Sequence, residues 1–333
     1  MMSDYPIPYH ETWDIKDSSK IQTYMDCPRR YFYQYMLGWR KVGGGLHLNF
    51  GGALHASMEH FNLLRKKNGR GYRLTDEDIA DAYFMFLEIY RKDHAPEDDN
   101  LNRPKDPDTA RCALAAYAQE FDLEDSDEDI LYTEKAGRVM VDAGRFLHFK
   151  MDLIKRDERG IAPRDYKTGS RNSEQWLNQW ELKTQIGTYI HAAKCLFPNE
   201  PVWGLEVRGI FLYKAVDQKR KYGNVDFIDV PIRKDRAMME VWRSNVIRWM
   251  DAINTETFEL SARCDPNDPV MNSFPLNTES CTKYSGCPFL DFCKVWPNPL
   301  SRCHEVPMDF EVRWWDPSQE DGRDVPNKEE VIL

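Results

Sequence analysis

The chain has 333 residues, 41% of them hydrophobic and 30% charged. That excludes a disordered polymer and leaves room for one large domain or two modest ones. No apolar run approaches the length needed to span a bilayer, and the opening MMSDYPIPYHETWD has neither the basic nor the apolar region of a secretory leader. A cytoplasmic protein with no membrane role is therefore expected. A net charge of −10 argues mildly against a polyanionic partner. Basic clusters at Arg29-Arg30, Arg40-Lys41, Arg65-Lys66-Lys67 and Lys219-Arg220-Lys221 can nevertheless create a local field of the opposite sign.

Residues 1–16 lack periodicity and read as an extended lead-in. Ser18-Ser19 is a helix cap before KIQTYMDCPRRYFYQYMLG, whose Ile21, Tyr24, Met25, Tyr31, Tyr35 and Met36 suit one buried face. Pro28 breaks this segment in two. Gly38 to Gly45 is a loop. Helices are expected from Gly52 to about Lys67, from Thr75 to Arg91 and from Ala110 to Phe121, with a Pro- and Asp-rich surface loop between the last two. Strands follow at Val139 to Val141, Phe146 to Ile154 and Ile161 to Lys167, then one long helix from Ser173 to Phe197. Val207 to Ala215 and Val225 to Pro231 read as an antiparallel pair. Asp235 to Asn254 reads as an amphipathic helix carried by Met238, Val241, Trp242, Val246, Trp249 and Met250. From Cys264 onward cysteines replace periodicity, and the residues after about Asp316 read as a disordered acidic tail. This order predicts an α/β or α+β domain in which a small mixed sheet is flanked by helices.

The most informative stretch is GRFLHFKMDLIKRDERGIAPRDYKTG, Gly144 to Gly169. Phe149, Met151 and Leu153 alternate with Lys150, Asp152 and Ile154, and Asp157-Glu158-Arg159-Gly160 is a turn signal. A turn centred between Glu158 and Arg159 sets Asp152 opposite Asp165 on one face, with Cβ atoms ~5 Å apart. Lys167 points the same way, two residues further along the strand. A one-residue slip would undo this arrangement. Facing like charges are destabilising unless something sits between them. A divalent cation bound by oxygen ligands is the natural candidate.

Eight cysteines stand at 27, 112, 195, 264, 281, 287, 293 and 303. Cys112 and Cys195 fall within helical patterns and read as buried small hydrophobes. Cys281-TKYSG-Cys287-PFLDF-Cys293 lacks the tight knuckles usual at zinc sites. Three clustered cysteines plus a distant fourth suit a Cys₄-ligated [4Fe–4S] cluster better. Cys27, followed by Pro as Cys287 is, is the candidate fourth ligand, with Cys264 and Cys303 as rivals. Such a cluster would close a long loop and serve a structural role first.

Taken together, SSKIQTYMDCPRRYFYQY, GGALH, the DYKTG hairpin, QIGTY and the terminal cysteines resemble, in this order, the PD-(D/E)XK nuclease superfamily. The specific likeness is to its RecB-like branch with an iron–sulfur cluster, which includes AddB-type and CRISPR-associated exonucleases and phage relatives. The resemblance implies a restriction-endonuclease-like sheet with the Cys-rich segment packed against the N-terminal helix. It also implies a nuclease domain over 17–297, made of a helical part (17–130), a catalytic core (131–234) and a C-terminal helix with the Cys segment (235–297). A partly disordered tail over 298–333 follows.

By position, Asp152 matches the first metal-binding acid of that family, and Asp165 and Lys167 match its (D/E)-x-K element. His55 in GGALH matches an additional metal ligand. Gln185 and Tyr189 match a Q-x₃-Y motif thought to help orient DNA, and Glu134 matches a glutamate often found upstream of the hairpin. The chain departs from the pattern in carrying Lys150 where a Gly often precedes the first acid. Its C-x₅-C-x₅-C also departs from the usual C-x₂-C-x₅-C. The implied function is phosphodiester hydrolysis in DNA with Mn²⁺ or Mg²⁺, held by Asp152, Asp165, the Tyr166 carbonyl and His55. Lys167 would orient the attacking water or neutralise developing charge. An exonuclease acting on DNA ends in recombination, repair or replication is expected first. A structure-selective endonuclease and a non-catalytic DNA-end-binding module are the alternatives.

Overall fold

Helix α1 (Ser18–Asp26) starts where the Asp17 carboxylate accepts the Lys20 N–H, and it ends at Cys27, held extended before Pro28. Pro28 opens α2 (Pro28–Tyr31), and a π-helical turn (Phe32–Met36) leads to strand β1 (Trp39–Lys41). The break expected at Pro28 is thus present. Helix α3 (Leu46–Asn68) begins earlier than the expected Gly52. Its Gly51-Gly52 pair is tolerated because Phe50, Ala53, Leu54, Met58 and Phe61 are all buried and anchor the helix by packing. A capping box of Thr75 and Asp78 opens α4 (Asp76–Tyr90), α5 (Asp99–Asn102) is a single turn, and Asp106 caps α6 (Pro107–Ser126).

Strands β2 (Asp129–Asp142), β3 (Arg145–Asp157) and β4 (Gly160–Gly169) follow, then helices α7 (Glu174–Asn178) and α8 (Thr184–Leu196). The helix expected over Ser173 to Phe197 is therefore two helices, interrupted where Trp180 turns inward between exposed Glu181 and Leu182 and the flanking turn. β5 (Leu205–Leu212), β6 (Val225–Ile232), α9 (Arg236–Arg263), α10 (Leu290–Val295) and β7 (Phe310–Val312) complete the elements of this computed structural model, which describes residues 5–43, 45–283 and 286–318.

The chain forms two compact units, one from the described parts of 1–44, 136–149 and 236–333, the other from 45–135 and 150–235. The five-stranded sheet has the order β2-β3-β4-β5-β6. β3–β4 and β5–β6 are antiparallel, whereas β4–β5 is parallel, the crossover being made by α7 and α8. This is the mixed sheet flanked by helices of a restriction-endonuclease-like fold. Every residue of β5 is buried, as befits a strand with a parallel neighbour and covered faces. In the second unit Phe50, Phe61, Phe86, Leu114 and Tyr117 pack against Tyr166, Ile210 and Leu212 of the sheet. Each such side chain contributes roughly 1.5–3 kcal/mol of burial.

In the first unit Tyr33, Trp39, Phe289, Phe292 and Phe310 form one aromatic cluster. There β1 pairs with β7, Trp39 opposite Val312. Trp314 stacks on His10 at 4.0 Å, and Trp315 Nε1 donates to Asp17 at 2.9 Å. Within 298–333, where a partly disordered tail was expected, Pro299–Ser301 forms a single turn and Phe310–Val312 forms β7. Residues 319–333, where the acidic tail was expected, lie outside the described residues. No helix among the described residues is long and apolar enough to cross a membrane.

Candidate active site

The turn after β3 fixes the site's register. Gly160, at φ +118°, has no room for a side chain, since a Cβ there would lie 2.3 Å from the Pro201 carbonyl oxygen. From this turn Asp157 pairs with Gly160, Ile154 with Pro163 and Leu153 with Arg164. Asp152 and Asp165 are the next residues along the two strands. There the backbone ladder stops, and Asp152 Oδ2 instead accepts the Tyr166 N–H at 2.8 Å. Beyond this point β4 runs beside β5, with Asp165 level with Val207 and Lys167 with Gly209.

Four further side chains converge on this end of the hairpin. His55, on α3, places Nδ1 3.4 Å from Asp152 Oδ1. Lys167 Nζ donates to Asp165 Oδ1 at 3.0 Å and lies 2.8 Å from Oδ2. Both oxygens of the buried Asp165 carboxylate thus face the ammonium. Glu134, on β2, pairs with Lys150 at 3.0 Å. Tyr189, on α8, donates its hydroxyl to the Lys150 carbonyl and accepts from Gln185 Nε2 at 2.9 Å. The predicted Q-x₃-Y pair thus ties α8 to β3 two residues before Asp152.

The charges at this end act on one another. Burial opposes ionisation of Asp152, but the His55 and Lys167 charges and the Tyr166 N–H hold its pKa below the usual carboxylate range. Burial pushes Asp165 up; Lys167 opposes the rise and the Asp152 charge reinforces it. Burial disfavours a charged His55, yet the Asp152 carboxylate outweighs this and raises the imidazole. Burial, with the Asp152 charge, pushes Glu134 up to about 7. Glu134 also sits at φ 47°, a left-handed backbone that a glutamate rarely adopts.

These groups suit a divalent cation: two carboxylates with an imidazole beside them. Asp152 and Asp165 with His55 would hold it, the Tyr166 carbonyl lying on the strand between Asp165 and Lys167. As the side chains stand, no three His, Cys, Asp or Glu among the described residues form a ready-made ligand set. His55 and Lys167 are turned onto the carboxylates instead.

The cysteines divide by place. Cys27 Sγ accepts the Asn277 N–H at 3.4 Å, and the Ser280 hydroxyl and Asn277 amide both donate to the Asp26 carbonyl. Cys287 N–H donates to the Cys281 carbonyl at 2.9 Å. Burial pushes the Cys293 thiol up to about 11; Arg29 opposes this, and the charges of Cys27, Cys287 and Cys281 add to it. No three of these cysteines form a ready-made metal site among the described residues. The rivals are engaged elsewhere, Cys264 with the Ser273 hydroxyl and Cys303 with the Leu300 carbonyl.

Residues 18–294 match a family model described as the PD-(D/E)XK nuclease superfamily. The chain belongs to this superfamily, whose members are metal-dependent nucleases acting on DNA. No curated protein matches it.

One contributor to the site, Lys150, was not singled out in the sequence, because it stands where a Gly is often found. Its partner Glu134 was singled out, although its strand begins at Asp129 rather than at Val139. Alternation around the hairpin does place Lys150 on the Asp152 face, which was the available signal.

Proposed function

We propose that the protein is a RecB-like DNA exonuclease acting on DNA ends, stabilised by a [4Fe–4S] cluster. The observation that carries the catalytic part is the convergence of Asp152, Asp165, Lys167 and His55, with Lys167 paired to Asp165 and His55 to Asp152. A divalent cation supplies polarisation of the phosphodiester and acidifies water. Asp152 is kept ionised by its neighbours and so remains an oxygen donor at neutral pH. Lys167, held by Asp165, offers a fixed ammonium to the charge developing on phosphorus. Tyr189 and Gln185 keep the strand before Asp152 in place and orient the site.

An imidazole ligand shifts preference from Mg²⁺ toward softer ions, so cleavage should be faster with Mn²⁺. Equal or better activity with Mg²⁺ would remove His55 from the ligand set. The decisive assay follows end-labelled linear DNA, single- and double-stranded, with Mn²⁺, comparing wild type with Lys167→Ala. Cleavage lost in the variant is expected, with mononucleotide or short products released from the labelled end. Internal fragments from the outset would mark an endonuclease. No cleavage by a wild type that still binds DNA ends would mark a binding module.

What supports the cluster reading is the Cys281-x₅-Cys287-x₅-Cys293 run with Cys27, whose Sγ accepts the Asn277 N–H just before that run, while Cys264 and Cys303 bond elsewhere. Anaerobically purified protein should carry about four iron atoms and visible absorbance. Colourless, iron-free and fully stable protein would rule the cluster out.

A further inference from the structure

Buried cations in the second unit are matched with carboxylates almost throughout. Arg65 meets Asp122 and Asp125, Lys155 meets Glu128 and Glu206, and Arg164 meets Asp125, Glu128 and Glu206. Lys105 breaks the rule. It is only 4% exposed, yet among the described residues no carboxylate pairs with it. Its ammonium has one hydrogen bond, to Thr168 Oγ1 at 3.3 Å, and lies 5.3 Å from the centre of the Phe50 ring. Burial alone lowers its pKa to about 8. An ammonium held in this way is costly without an anion.

Its setting is rigid and specific. The Lys105 carbonyl accepts the Tyr90 hydroxyl at 2.8 Å, and its N–H donates to the Asn102 carbonyl at 2.8 Å. The next residue, Asp106, caps α6. Thr168 directly follows Lys167 on β4 and is half-buried, its side chain by strand alternation on the face opposite Asp165 and Lys167. The start of α3 is here too. Phe50 carries the Lys105 contact, a Cβ on Gly51 would be 3.9 Å from Thr168 Oγ1, and His47 feels the Lys105 charge. This 23-residue helix has no side-chain cap, and the Asn49 amide in its first turn donates to Asp93 Oδ2 at 3.0 Å.

We propose that Lys105 and the Thr168 hydroxyl form an anion site. It takes a backbone phosphate of the bound strand. The identity of the anion rests on the nuclease reading; the anion site does not. Lys105→Met keeps the shape of the side chain and removes the charge, and Lys105→Arg keeps the charge.

The experiment titrates a labelled single-stranded oligonucleotide into each protein in EDTA over a series of salt concentrations. In parallel, thermal unfolding is followed with inorganic phosphate against chloride of equal ionic strength. Lys105→Met should weaken binding by about ten-fold and make the slope of log affinity on log salt shallower by ~0.7, one phosphate's share on a single strand. It should also lose the stabilisation by phosphate without melting earlier than wild type, and Lys105→Arg should restore both. Unchanged slope and unchanged phosphate response in Lys105→Met would overturn the proposal while leaving the nuclease reading intact. Phosphate stabilisation that depends on Lys105 in a protein that binds no DNA would overturn the nuclease reading while upholding the anion site.

Discussion

At the scale of single residues the site is a set of groups held against their own preference. Asp165 is buried and faces the Asp152 charge, and Lys167 only partly offsets both, so the fold favours a neutral side chain there. Asp165→Asn should raise unfolding stability by ~1 kcal/mol, as relief of a strained functional site commonly does. It should also lower cleavage by at least ~10²-fold. Urea unfolding and the end-labelled DNA assay measure the two sides, and a variant that is less stable than wild type would contradict this account. Glu134 belongs to the same pattern: a left-handed glutamate persists beside Asp152 because the pairing with Lys150 and the strand around it fix its backbone.

At the scale of elements, the far face of the β3–β4–β5 sheet is held by ions. Asp125 receives Arg65, Arg164 and Arg208, and Glu206 receives Lys155 and Arg164. Both carboxylates are fully enclosed; burial opposes their charge, and the surrounding arginines outweigh it. Asp125 is thereby held far below the usual range and Glu206 is lowered to about 2. Because these folded pKa values lie below the unfolded ones, the stabilisation is complete above pH ~4 and is lost as pH falls toward 2. Asp125→Asn leaves buried arginines undercompensated and should cost ~3–5 kcal/mol at pH 7. The deficit should shrink in acid, where the wild type loses the same interaction; a constant deficit from pH 7 to pH 3 would refute it.

This network was hidden in the sequence, because an arginine on a strand reads as a solvent-facing residue until its neighbours are known. The register of the β3–β4 hairpin was legible, since period-two alternation and a single turn determine it. The break near Trp180 was not, because the apolar spacing of Trp176 and Trp180 continues a helical pattern through it. Lys105 sits alone in a Pro- and Asp-rich loop, where nothing in its surroundings marks it. The short β7 and the early part of β2 offered too few patterned residues to read.

At the scale of the whole chain, the proposed cluster would join residue 27 to residues 281–293. By the chain-entropy argument for cross-links, closing a loop that long is worth on the order of 5 kcal/mol. Cys287→Ser should therefore bleach the visible absorbance and lower the melting temperature of the first unit, whereas Lys167→Ala should alter neither. Retained colour in Cys287→Ser would transfer the ligand role to another cysteine.

The interleaving of the two units also governs how the protein is made. The first 44 residues emerge from the ribosome long before residues 236–318, with which they share a unit. Tyr31 and Phe32 must wait for Phe274, and Tyr33 for Phe289. The second unit, whose segments end at residue 235, has its whole complement of strands and helices while the first is still incomplete. During synthesis the strands that carry Asp152 and Asp165 are thus complete first, and the cysteine-bearing segments of the first unit come together last. Iron delivery to the proposed cluster would then belong to the final, post-translational stage of maturation.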